Sequence, residues 1–341
     1  MMSEPPNPEA VSHGYRAVRG AGAGLIDLAG RGRFMISGSE AVMFLNGMIT
    51  NDIKNLAVNS WMPAVFPNVQ GRLLAVVRVL NLGGEFLIDT EAATHSTVLN
   101  LLSRFTMAGD FRVTDVSDQI SSLSVQGRDV ENIVGSIIGS GAPTVDRRTL
   151  TAADFNGARV TLIRATHTAE DGFDFFIEHE KADGLRSALI DAGAEAISSG
   201  VLEVLRIEAG IPRYGIDLDE TTVVNEAGFE DAISYNKGCY VGQEIIVRIK
   251  HRGHVAKKLG GVVLGHDLAV EKDTKVLSLD GHDAGRITSS AFSPSLDRRI
   301  ALGYLKYDYL AAGTQLKIPV GDHSVPAKVV ELPFVRGSWY E

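Results

Sequence analysis

The sequence predicts an α+β protein, with a mixed helix-and-strand region over residues 1–255 and an all-β unit over residues 256–341. Two patterns and one count carry this. Up to about residue 255, segments with apolar residues at helical spacing alternate with short β-branched runs. Beyond it, six short apolar runs are separated by turn pairs such as Asp280-Gly281, Ala312-Gly313 and Gly321-Asp322, which reads as a small antiparallel barrel or sandwich. Thirty-six glycines among 341 residues supply many tight turns and argue against an all-helical bundle.

Taken in order, the N-terminal stretch is acidic and carries Pro5, Pro6 and Pro8. It lacks the basic and apolar segments of a signal or transit peptide, so residues 1–12 are expected to be disordered. In Gly20-Ala21-Gly22-Ala23-Gly24 the third glycine of a dinucleotide loop would fall on Leu25, and the stretch reads as a flexible connection. Ser39-Glu40-Ala41 opens a helix with Val42, Leu45, Met48 and Ile49 on one face. Residues 73–82 and 85–89 flank Gly83-Gly84 as a hairpin. Val98, Leu101, Leu102 and Phe105 mark a helix opened by Thr94 or Ser96. A strand at 123–125, a helix at 130–138, strands at 160–165 and 173–177 and a helix at 182–192 follow. The next helix, 201–209, opens near Ser199 and is closed by Gly210 with Pro212 beyond it. The six runs of the last unit are 260–264, 275–279, 286–291, 300–307, 315–320 and 327–332.

Composition excludes several function classes. The net charge of −9 argues against a protein that coats nucleic acid. The single cysteine, Cys239, rules out an internal disulfide, a four-cysteine zinc site and a self-contained iron–sulfur cluster. No apolar run is long enough to span a membrane, and a soluble, cytoplasmic protein is expected. Walker A and G-x-S-x-G motifs are absent. His251 and His254 have no third ligand nearby and sit among cations, so no metal site is expected there.

Three segments carry chemistry. In Asn236-Lys237-Gly238-Cys239-Tyr240-Val241-Gly242-Gln243-Glu244, glycines bracket a cysteine that neighbouring cations can activate, or that packs as a small buried hydrophobe. The continuation to Ile249 fits a strand or a helix. From Lys237 to Lys258 six cations face Glu244 alone, a local basic surface suited to an anionic tail, a phosphate or an RNA backbone, or simply a solvated face. In the third, Glu170 at a turn can accept hydrogen bonds from the edge of a flat heterocycle, and Arg206 can grip a carboxylate; on residue type alone a structural Glu/Arg ion pair and ordinary turn acids are the plainer reading.

Lys237–Glu244 resembles the K-G-C-Y-x-G-Q-E signature of the YgfZ family of folate-binding, iron–sulfur-maintenance proteins. Thr50-Asn51-Asp52, Glu170-Asp171-Gly172-Phe173 and the stretch from Leu205 to Asp217 resemble, in the same order, segments of the wider superfamily that includes the glycine cleavage T-protein. The resemblance implies two interleaved antiparallel-sheet domains with helices and a C-terminal barrel, arranged as a three-domain ring around a folate channel. It implies tetrahydrofolate or a one-carbon-substituted folate as cofactor, with Asn51, Glu170, Arg206, Tyr214, Lys237 and Gln243 at its site. Cys239 would be the thiol-active residue, and iron–sulfur enzymes, tRNA-modifying ones included, or their assembly factors would be the partners. After Gln70-Gly71, where the T-protein carries a pair of aspartates, one catalytic, this chain has Ala75 and Val76. A standard aminomethyltransferase is therefore doubtful on sequence; that alternative needs another acid, with Asp52 and Asp217 as candidates. A third reading is a tRNA contact through Lys237–Lys258.

Overall fold

A computed structural model describes residues 8–104, 106, 109–139 and 146–341. The first helix, α1 (Pro8–Arg19), already occupies part of the expected disordered tail. Proline is tolerated at a first helical position because its missing N–H has no intrahelical partner there. Residues 1–7 lie outside the described ones. The glycine stretch is also not a free connection. Ala23–Asp27 form strand β1, and a Cβ on Gly24 would stand 2.4 Å from Val18 Cγ2, so glycine is required by the close approach of α1.

Two sheets follow, interleaved in the chain. After β1 come β2 (Gly32–Ser37), α2 (Ala41–Met48), β3 (Ser60–Pro67), β4 (Leu73–Asn81), β5 (Glu85–Thr90), α3 (His95–Ser103) and β6 (Arg112–Asp115). Strands β2 to β6 form a five-stranded sheet ordered β3-β4-β5-β2-β6. The chain then returns to β1 with β7 (Ile120–Gln126), α4 (Val130–Ile138), β8 (Leu150–Phe155), β9 (Ala158–Arg164), β10 (Gly172–Glu178), α5 (Ala182–Asp191) and β11 (Ala194–Ala196). These strands give a six-stranded sheet ordered β11-β1-β7-β10-β9-β8, antiparallel except at β1–β11. Each sheet buries one face on its own helices. Phe34, Ile36, Ala75, Val77 and Val79 meet Leu45, Val98 and Leu102, whereas Leu123, Val125, Leu162, Phe173 and Phe175 meet Val134, Leu185 and Leu189.

Helix α6 (Ser199–Glu208), capped by Ser198 rather than Ser199, leads to an irregular segment and α7 (Gln243–Arg252). The remaining strands, β12 (Lys257–Leu264), β13 (Lys275–Ser278), β14 (Asp283–Ser293), β15 (Arg298–Lys306), β16 (Gln315–Val320) and β17 (His323–Val330), close into a six-stranded barrel ordered β12-β15-β14-β13-β16-β17. The three units are joined partly directly and partly through α6 and the segment that follows it. The sheets meet through Trp61, Leu80 and Leu87 against Ile163 and Phe176. Ile207 of α6 packs on Leu259, Ile300 and Leu302 of the barrel, and the bridging segment lays Leu218, Val224 and Ile233 on Val65 and Leu73 of the five-stranded sheet.

Candidate functional site

The sequence-predicted residues fall into three neighbourhoods. The first is the end of α2. Lys237 is buried, and its Nζ donates to Asn46 O at 2.6 Å, Ile49 O at 2.9 Å and Asn51 O at 2.7 Å. Burial pushes its pKa down to about 8, while three acceptor oxygens hold the charged form in place. Asn51 is equally engaged: Nδ2 donates to Pro63 O and Asp231 O, and Oδ1 accepts from Asp52 N. Lys237 therefore does not belong to a basic surface, which corrects that part of the charge reading. Lys258 pairs with Glu230, leaving Arg248 and Lys250 as exposed cations of α7. The ambiguous run to Ile249 is helix. His251 lies edge-on to Tyr235 and His254 stacks on Tyr307.

Cys239 is exposed, so it is not the buried hydrophobe that residue type alone allows. Its segment is fixed on both sides. Val241 N donates to Gly47 O at 3.0 Å, and Gly242 takes φ 74° as the cap of α7, with a Cβ there meeting Asn68 O at 2.3 Å. Gln243 Oε1 accepts from Tyr240 N at 3.4 Å and serves this turn.

The second neighbourhood surrounds Glu170. Its Oε1 accepts from Arg19 Nη1 at 2.8 Å, and its Oε2 accepts from Ser338 N at 2.8 Å and Ser338 Oγ at 2.7 Å. Arg19 also holds Glu208, through Nε at 3.0 Å and Nη2 at 2.9 Å. The hydrogen bonds expected from a heterocycle's edge are thus made by the C-terminal segment. Arg19 is the partner that sequence reasoning missed, because 151 positions separate it from Glu170.

The third neighbourhood lies where α6 meets the bridging segment. Arg206 donates to Asp217 Oδ2 at 2.6 Å and is also bonded by Glu203. Asp217 accepts further from Thr288 at 2.5 Å and Ser289 at 2.6 Å, so it is fully committed to the barrel. Tyr214 is half-buried and packs on the same cluster as Val76. Arg213 is half-exposed and reaches Glu203 at 3.3 Å. Opposite them is the outer face of β4, with Val76 and Arg78, its other face being the sheet core that holds Ala75. Neither Ala75 nor Val76 carries charge where a carboxylate was sought. Glu91, immediately beyond β5, faces this region. Burial raises its carboxyl pKa, while Arg31, Arg213, the backbone N–H of Tyr214 and Arg206 draw it down.

Between the sheets runs a buried ion network. Asp89 accepts from Arg31 at 2.9 Å and Arg78 at 2.8 Å, and Arg78 also donates to Asp174. His167 Nε2 lies 3.0 Å from Asp174 Oδ2. Burial opposes the charge on Asp174, but His167 and Arg78 hold its carboxyl well below the usual carboxylate range. Among the described residues no group of His, Cys, Asp and Glu is placed to hold a metal ion, and no helix is long and apolar enough to cross a membrane.

Comparison with known proteins agrees with this architecture. Residues 4–237 match the GCVT N-terminal domain, and residues 257–336 match the glycine cleavage T-protein C-terminal barrel domain. The chain is 30% identical over 328 residues to an aminomethyltransferase of Saccharopolyspora erythraea, covering 94% of this chain and 89% of that one. It is 29% identical over 323 residues to an aminomethyltransferase of Rubrobacter xylanophilus, covering 94% and 85%. Its fold is similar to that of the glycine cleavage system aminomethyltransferase T from Bartonella henselae, with a TM-score of 0.88 and 21% identity over 96% of this chain and 90% of that one.

Proposed function

The chain belongs to the glycine cleavage T-protein family, and from that premise we propose that it binds a tetrahydrofolate where α6, the bridging segment and the outer face of β4 meet. The observation that carries this reading is the grouping there of a half-buried aromatic ring, Tyr214, a half-exposed cation, Arg213, and the apolar Val76. A flat heterocycle stacks on the first, and the carboxylates of a folate tail pair with the second. Glu170 lies in a separate network with Arg19 and Ser338, and Arg206 is bonded by Asp217, so neither offers free atoms to a ligand at this region.

The aminomethyltransferase relatives support folate-dependent one-carbon transfer as the activity. Asp217 is spent on Arg206 and the barrel, and Asp52 serves as a turn cap through Lys54 N at 3.1 Å. Turnover then requires an acid outside the β4 pair. A second reading, a folate-binding protein that serves iron–sulfur enzymes or their assembly factors, is favoured by the apolar Ala75 and Val76 together with the exposed thiol of Cys239.

Titration of the full chain with 5-formyl-tetrahydrofolate, read by calorimetry and by Trp61 and Trp339 fluorescence, tests the shared part. No binding up to roughly millimolar ligand would sink both readings. Formation of methylene-tetrahydrofolate from an aminomethyl donor favours the transferase. Failure of C239S to restore iron–sulfur enzyme activity in cells lacking the protein, with folate binding intact, favours the second.

A further inference from the structure

We propose that Glu91 is the folate-facing carboxylate of this chain, supplying from the end of β5 the negative charge that Ala75 and Val76 leave out of β4. The inference rests on the folate reading above and adds a residue to that site. Strands β4 and β5 pair antiparallel with Val77 opposite Thr90 and Arg78 opposite Asp89. One step further along this register sets Val76 opposite Glu91. Residues directly opposite in an antiparallel pair share a face, as the Arg78–Asp89 ion pair on the same face demonstrates. The carboxylate is thus displaced to the neighbouring strand by one cross-strand step, about 5 Å between Cα atoms.

The surroundings suit that role. The charged groups facing Glu91 are Arg31 from the β1–β2 turn, Arg213 from the segment after α6 and Arg206 from α6, and Tyr214 presents its backbone N–H. Val76, the residue across from it, offers no competing charge. Tyr214 and Val76 pack against one cluster, and Glu91 lies beside the Tyr214 backbone. Burial keeps its carboxyl titrating above the ordinary range despite the three guanidinium groups. A protonated carboxyl cannot accept two hydrogen bonds from ligand N–H groups, whereas the carboxylate can. Binding of a reduced folate, whose ring edge carries N–H donors, therefore strengthens as pH rises through the Glu91 titration and then levels off.

The test is calorimetric titration of the full chain with 5-formyl-tetrahydrofolate from about pH 5 to about pH 8, using wild type, E91Q and V76D/E91Q. E91Q keeps the shape of the side chain, and equal thermal midpoints verify that the fold is kept. At the upper pH values E91Q is expected to bind roughly tenfold or more weakly and to lose the wild-type rise with pH. V76D/E91Q returns a carboxylate to β4 and is expected to recover the rise. E91Q binding like wild type at every pH would overturn the assignment while leaving the folate reading intact. So would weakened E91Q binding with the wild-type pH slope, which marks a structural role only. A folded V76D/E91Q that recovers nothing refutes the exchange between strands. No binding by the wild type at any pH removes the folate reading and this inference together.

Discussion

The ammonium of Lys237 answers three backbone oxygens at the end of α2, on Asn46, Ile49 and Asn51. Carbonyls in the last turn of a helix have no intrahelical donor and form the negative end of its dipole, so a cation there satisfies both needs. The same side chain lies 5.0 Å from the Tyr240 ring centroid, which ties the Cys239 segment to α2. Lys237→Met keeps the apolar stem but leaves these oxygens without their donor. The expected cost is about 2–3 kcal/mol, read as a lower urea midpoint at neutral pH. An unchanged midpoint would show that water replaces the ammonium and that Lys237 is free to meet a ligand instead.

Helices α1 and α6 form one seam with the barrel. Tyr15 and Val18 pack on Val201 and Leu205, and Glu208 accepts from Tyr15 at 2.7 Å, Arg19 at 2.9 Å and Ser293 at 2.5 Å. Arg19 is the cation that bonds both carboxylates, and its side chain is 8% exposed between Glu170 at 3% and Glu208 at 0%. Arg19→Met leaves two buried carboxylates uncompensated and is expected to cost about 3–5 kcal/mol in denaturant unfolding, with recovery when Glu208 is also changed to Gln. Such seams explain what was legible in the sequence. The Gly83-Gly84 hairpin, α3 to its described end at Ser103, α4, α5 and the six barrel strands are set by local periodicity and turn chemistry, and each stands within a few residues of its sequence position. Strand β1 was masked by glycines that long-range packing demands, and α1 by the proline at its start. Within the candidate site, Glu170, Arg206, Tyr214 and Lys237 could be singled out from their motifs, but their partners could not. Arg19 and Ser338 reach Glu170 from opposite ends of the chain, and Glu91 is visible only once β4 and β5 are in register.

At the scale of the whole molecule, the two sheets are joined by an apolar patch and by the buried Arg78 bridge from Asp89 to Asp174. The bridge makes the joint sensitive to acid, and the sign follows from the shifted carboxyl. Burial raises the cost of charge on Asp174, yet His167 and Arg78 more than offset it, so the folded-state pKa lies below the unfolded one. Its contribution is fully present above the unfolded value near pH 4 and is lost as pH falls through the window below that. Asp89, also held low by Arg31 and Arg78 against its burial, adds to the same window. Asp174→Asn keeps the shape but leaves Arg78 and His167 facing a neutral amide. We expect it to lose about 3–5 kcal/mol at pH 7. Urea midpoints for wild type and variant should therefore converge as pH is lowered below about 4, where the wild type begins to lose the same charge. A gap between the two proteins that stays constant with pH would show that Asp174 contributes shape rather than charge, and the acid-sensitive joint between the sheets would have to be sought at Asp89 alone.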